Sequence, residues 1–136
     1  MVFQRDVFNK GTNGNIATHL YGYGSYGASI EASFRSTRLP LLKRGVVYVL
    51  AHVRGGGELG RPWYEEQGKY LGKKNTFNDF IDVARWFTDE NASGNATDEF
   101  GRGITNPSKL SCEGRSAGGC EYFLAMNMNV TRLISY

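Results

Sequence analysis

Near the end of the chain, Gly114-Arg115-Ser116-Ala117-Gly118-Gly119 carries the spacing G-x-S-x-G. A serine becomes a nucleophile when a sharp turn lifts its hydroxyl clear of the backbone and a base can take its proton. In such a nucleophile elbow the turn is strained and crowded, so the residues two before and two after the serine must be small. Gly114 and Gly118 meet that need. The backbone N–H of Ala117, opening a following helix, would face a developing oxyanion with the helix dipole behind it. A plain strand-to-helix turn with a capping serine has the same spelling, and the motif alone leaves both readings open.

A second run, Arg54-Gly55-Gly56-Gly57-Glu58-Leu59-Gly60, contains G-x-G-x-x-G, the spelling of a dinucleotide-phosphate turn at Gly55, Gly57 and Gly60. That turn wants small residues in the helix behind it. Here Arg61-Pro62-Trp63-Tyr64 is bulky and Gly68 interrupts the segment. Asp79 and Asp82 stand at about the distance of a ribose-binding acid, yet they fall on a predicted helix and not at a strand end. The expectation is a structural loop in which Arg54 pairs with Glu58, with no cofactor.

The elements that position these residues follow one another along the chain. Residues 2–8 alternate loosely and residues 11–15 carry an Asn-Gly turn, which predicts a hairpin leading into a strand over 16–23. Tyr21-Gly22-Tyr23-Gly24-Ser25-Tyr26-Gly27 is too rich in glycine to continue a ladder and reads as a loop held close to a neighbour by its backbone. Leu39-Pro40 opens a short helix that Lys43, Arg44 and Gly45 close. The β-branched and aromatic run at 46–53 predicts a central parallel strand, neighbouring another over 109–113. Thr76 is expected to cap a helix with Asp79 three residues on, its apolar face being Phe77, Phe80, Ile81, Ala84 and Phe87. Residues 89–106 read as a polar surface loop. Strand and helix alternating three times predict an α/β fold, a mostly parallel sheet flanked by helices.

Composition bounds the rest. With 40% hydrophobic and 21% charged residues among 136, the chain can bury a core and is not a disordered polymer. Its length suits one domain or a part of one. The net charge of +3 is spread among acids with no basic stripe, so nucleic-acid binding is not expected. The longest apolar run, residues 45–53, falls short of the roughly 20 residues of a membrane helix, and no basic-then-apolar leader opens the sequence. No membrane association and a cytoplasmic location are expected. Cys112 and Cys120 lack metal-ligand spacing, with only His19 and His52 to help them, so reduced thiols and no metal are expected.

Taken together, Tyr21 to Gly27, Ala51-His52-Val53 with the glycine run to Gly60, Gly68-Lys69-Tyr70-Leu71, Lys74-Asn75-Thr76-Phe77-Asn78-Asp79-Phe80 and Gly114 to Gly119 resemble the oligopeptidase B-like, basic-residue-cleaving branch of the prolyl oligopeptidase family. The resemblance implies an α/β-hydrolase catalytic domain capped by a β-propeller, cutting short peptides after Arg or Lys through an acyl-enzyme, without a cofactor. It also implies Ser116 as nucleophile, with the Ala117 N–H and the Tyr23 hydroxyl as oxyanion donors. Tyr26 corresponds to an aromatic beside the substrate, and Glu31 to the first of two acids that hold a basic residue next to the cleaved one. The second acid position is Ser33 here, which weakens any dibasic preference. A triad on this fold runs Ser, Asp or Glu, His in chain order, and no histidine follows Ser116. The expectation is a partial catalytic domain over 1–136 that ends just after the elbow. The propeller and the Asp- and His-bearing part would be absent, and the fragment inactive alone. Its expected partners are short peptides and that missing remainder. A non-catalytic remnant of the family is the alternative, and a dinucleotide-binding module a further one.

Overall fold

The computed structural model describes residues 1–6, 14–88, 97 and 103–116. Three strands, β1 (Thr18–Gly22), β2 (Val47–Ala51) and β3 (Leu110–Gly114), form a parallel sheet in the order β2-β1-β3. A 3-10 turn at Ser36–Arg38 and α1 (Leu39–Lys43) connect β1 to β2. After β2 come α2 (Arg61–Glu65), a 3-10 turn at Tyr70–Gly72 and α3 (Lys73–Thr88). This is the α/β arrangement expected, the core of an α/β-hydrolase fold.

One sheet face makes the core. Leu20, Val47, Val49, Ala51 and Leu110 point the same way and pack beneath Phe80, Ile81, Ala84 and Phe87 of α3, with Val53 and Ile104 completing the cluster. Phe77, expected on that apolar face, is only half-buried. Alternation puts His19, Tyr21, Tyr48, Ser111 and Glu113 on the opposite face.

Several expectations require correction. The strand predicted over 46–53 forms as β2 but neighbours β1, not β3, and β1 is the middle strand of the three. Thorough burial does not order strands: β1 buries only the face of Thr18, Leu20 and Gly22, with His19 and Tyr21 half-buried, and still lies in the middle. Val2 does not pair with the strand over 16–23. It bridges antiparallel to Tyr48, with N–H to O distances of 2.7 and 2.8 Å in the two directions. Most of the predicted Asn-Gly turn lies outside the described residues. Helix α3 begins at Lys73, so Thr76 is no cap: it is buried a turn inside, its hydroxyl donating to the carbonyl of Arg54. Ile104 and Thr105, at the end of the predicted polar loop, are buried; most of the rest of that loop lies outside the described residues.

Arg54 does not pair with Glu58. Its Nε and Nη2 clasp both carboxylate oxygens of Asp79, and its backbone N–H donates to Asp79 Oδ2 at 2.9 Å. Asp79 wins because α3 packs against the end of β2 and presents that carboxylate to the first residue of the loop. Glu58 turns away and accepts the Ile30 N–H at 2.8 Å.

The glycines have a structural purpose of their own. A Cβ on Gly55 (φ +103) would stand 2.1 Å from the Gly24 carbonyl oxygen, and one on Gly57 would stand 2.3 Å from that of Gly27. A Cβ on Gly68 would meet Gly55 Cα at 2.2 Å. Three loops therefore stack backbone on backbone, which only glycine permits. Gly55 and Gly57 spend their bare faces on other loops of the chain, where a dinucleotide turn would offer them to pyrophosphate.

Candidate active site

The order β2-β1-β3 means that the first crossover leaves β1 to one side and the second returns to its other side. The crevice at the carboxyl ends of adjacent strands at such a reversal is where open α/β sheets bind ligands. Here those ends belong to β1 and β3. Their register pairs Gly22 with Gly114, so Tyr23 and Arg115 leave the sheet side by side, and Ser116 follows at once.

Ser116 is exposed and has φ +55. For a residue with a Cβ this left-handed conformation costs about 1–3 kcal/mol, and it is the strained backbone that a nucleophile elbow requires. Ala117 and Gly118 lie outside the described residues. Tyr23 is half-buried and lines a cavity of about 480 Å³ together with Tyr21, Arg35, Arg38, Tyr48, Glu113 and Arg115, among others. Tyr23 and the residue preceding Ser116 thus line the same cavity.

The other two expected residues stand apart from that cavity. Tyr26 (φ +58) is 70% exposed and borders a smaller cleft of about 160 Å³ with Tyr64, Lys69, Tyr70 and Lys73. Its loop is pinned by Lys73 Nζ, which donates to the Gly24 carbonyl at 2.7 Å and to Ser25 Oγ at 2.8 Å. Glu31 is exposed and has no hydrogen-bond or ion-pair partner among the described residues. Ile30 beside it is held at both ends, its N–H by Glu58 and its carbonyl by His52 Nε2 at 2.9 Å.

Both histidines are committed elsewhere. His52 donates to Ile30, and His19 bridges β1 to β3 on the sheet face opposite the core. With the imidazole neutral, Nε2–H donates to Glu113 Oε2 at 3.0 Å and Nδ1 accepts from Ser111 Oγ at 2.9 Å. This trio was not legible in the sequence, since 92 and 94 residues separate His19 from its partners and only the parallel register brings them opposite. Burial, and secondarily the Glu113 carboxylate, raises the Tyr48 phenol above its usual range, so it remains a donor at neutral pH. Burial pushes the Cys112 thiol up to about 12. Among the described residues no group of three His, Cys, Asp or Glu side chains could hold a metal ion.

The parallel sheet with its order reversed at β1, and the strained serine directly after β3, define an α/β-hydrolase type of domain. Residues 32–132 match the model of the prolyl oligopeptidase family, and the chain belongs to that family. It is 45% identical over 116 residues to Protease 2 of Moraxella lacunata, covering 85% of this chain and 15% of that protein. It is 41% identical over 128 residues to dipeptidyl aminopeptidase BI of Pseudoxanthomonas mexicana, covering 94% and 16%. Among solved structures it resembles oligopeptidase B from Trypanosoma brucei with covalently bound antipain, at 51% identity and TM-score 0.71, covering 84% of this chain and 14% of that one. The chain thus spans about 15% of the length of the relatives it matches.

Proposed function

We propose that these residues form the nucleophile side of a serine peptidase site that hydrolyses short peptides after Arg or Lys. The observation that carries this reading is Ser116 at φ +55, two residues after the end of β3 and next in the chain to Arg115, which leaves the sheet beside Tyr23. Ser116 Oγ attacks the scissile carbonyl, and the Ala117 N–H and Tyr23 hydroxyl receive the oxyanion. The leaving amine takes a proton, and water then hydrolyses the acyl-enzyme. Tyr26 contacts substrate, and Glu31, exposed and without a partner among the described residues, attracts a basic side chain. Because His19 and His52 are both engaged elsewhere, neither is the base. In this reading an acid and a histidine from further residues of a prolyl oligopeptidase catalytic domain complete the triad, and a propeller covers it. The 136 residues alone are inactive, and the whole works in the cytoplasm. The likeness to Protease 2 and to an oligopeptidase B supports a peptidase of the branch for which the motifs imply a basic preference.

The test is cleavage of two fluorogenic peptides, one with Arg and one with Pro before the scissile bond, by the protein expressed from its full reading frame. Cleavage after Arg, lost in Ser116→Ala, is expected. Preference for Pro, or activity that survives Ser116→Ala, would contradict the reading.

A further inference from the structure

We infer that the cavity lined by Tyr23 and by Arg115, the residue before Ser116, is a carboxylate-binding cleft that receives the C-terminal end of a short peptide; this rests on the peptidase reading. Its walls carry three guanidinium groups, on Arg35, Arg38 and Arg115, against the single carboxylate of Glu113. Glu113 does not neutralise them through its bonded oxygen, because Oε2 is turned to His19.

The three arginines are not equivalent. Arg38 is buried and fixed, with Nη1 donating to the Ser33 carbonyl at 2.8 Å and the guanidinium 5.0 Å from the Tyr48 ring centroid. Arg35 and Arg115 are exposed, and their guanidinium groups have no hydrogen-bond or ion-pair partner among the described residues. Two guanidinium forks unpaired among the described residues, with a fixed third and with Tyr21, Tyr23 and Tyr48 lining the same cavity, form a surface that recognises a planar anion. At about 480 Å³ the cleft admits the end of a peptide and no folded chain.

Charge also sets the direction in which a substrate lies. Glu31 is outside the lining of this cleft, so the carboxylate that attracts a basic side chain and the arginines that attract an anion are separate features of the site. A basic residue is repelled from the arginines. A short peptide with a basic side chain and a free C-terminus is therefore oriented by its own dipole, with Arg115 one residue from the nucleophile.

The experiment uses Ser116→Ala protein from the full reading frame, so that binding is read without turnover. The probes are the tetrapeptide Gly-Arg-Gly-Phe as free acid and as C-terminal amide, titrated calorimetrically at low and at high salt. The free acid is expected to bind about tenfold tighter at low salt, a gap of the size given by one charge-assisted pair, and the gap should narrow as salt rises. Arg35→Gln with Arg115→Gln should abolish it, while Arg35→Lys with Arg115→Lys, which keeps the charge, should retain part of it. Equal affinity of acid and amide, including failure of both to bind, would overturn the inference, as would a gap that persists in the glutamine variant. Covalent labelling of Ser116 in the unsubstituted protein tests the peptidase reading separately: labelling without a gap removes the cleft alone.

Discussion

A serine held at left-handed φ must be stabilised by its surroundings, and Ser116 is placed so by the end of β3 and by the turn that begins there. The strained turn at Ser116 was legible in the sequence because its determinants are local: a serine between glycines at fixed spacing, after a short predicted strand. Tyr23 was legible only through resemblance, since its position beside Arg115 depends on pairing across 92 residues. Cys112 supplies a test at this scale. Its thiol pKa is raised to about 12 from an ordinary 9.0, so the unfolded state loses that proton first. Stability from this group is complete below about 9 and is lost as pH climbs toward about 12. Urea titrations at pH 7 and pH 10 should show a steeper loss in the parent protein than in Cys112→Ala. Equal losses would mean that the thiol is not desolvated.

At the scale of elements, the stacking of the three glycine loops makes a paired prediction. Gly55→Ala meets a backbone oxygen as well as an unfavourable φ and should cost more than about 2 kcal/mol. Gly60→Ala has a similar φ of +91, but its nearest neighbour is Pro62 Cδ at 3.9 Å, so it should cost less, the backbone strain alone of about 1–3 kcal/mol. Denaturation midpoints of the two variants decide this, and equal losses would show that φ, and not close approach, governs the loop. Asp79→Asn should cost about 1–3 kcal/mol, since it breaks the clasp that ties the loop after β2 to α3. A double-mutant cycle with Arg54→Gln should recover most of that as coupling. The sequence marked the glycine loop over 21–27 as held close to a neighbour by its backbone, but not that the neighbour is the loop of Gly55 and Gly57. It likewise offered Arg54 the nearer acid, Glu58, because sequence distance cannot reveal that α3 brings Asp79 to the end of β2.

For the whole molecule, alternation of strand and helix was enough to read an α/β fold with a parallel sheet. The order of the strands was not, because β2 is the more thoroughly buried strand and yet flanks β1, and nothing local says which strand lies between its neighbours. That order matters for function, since it places the ends of β1 and β3 together and gives Ser116 its crevice. The most direct measurement is mass spectrometry of the protein, expressed from its full reading frame, after exposure to a fluorophosphonate. The adduct is expected on the peptide carrying Ser116 and on no other serine, with the 136 residues alone labelling far more slowly because both of their histidines are engaged elsewhere. An adduct on a different serine, or none on the full-length protein, would contradict the assignment of Ser116 as the nucleophile.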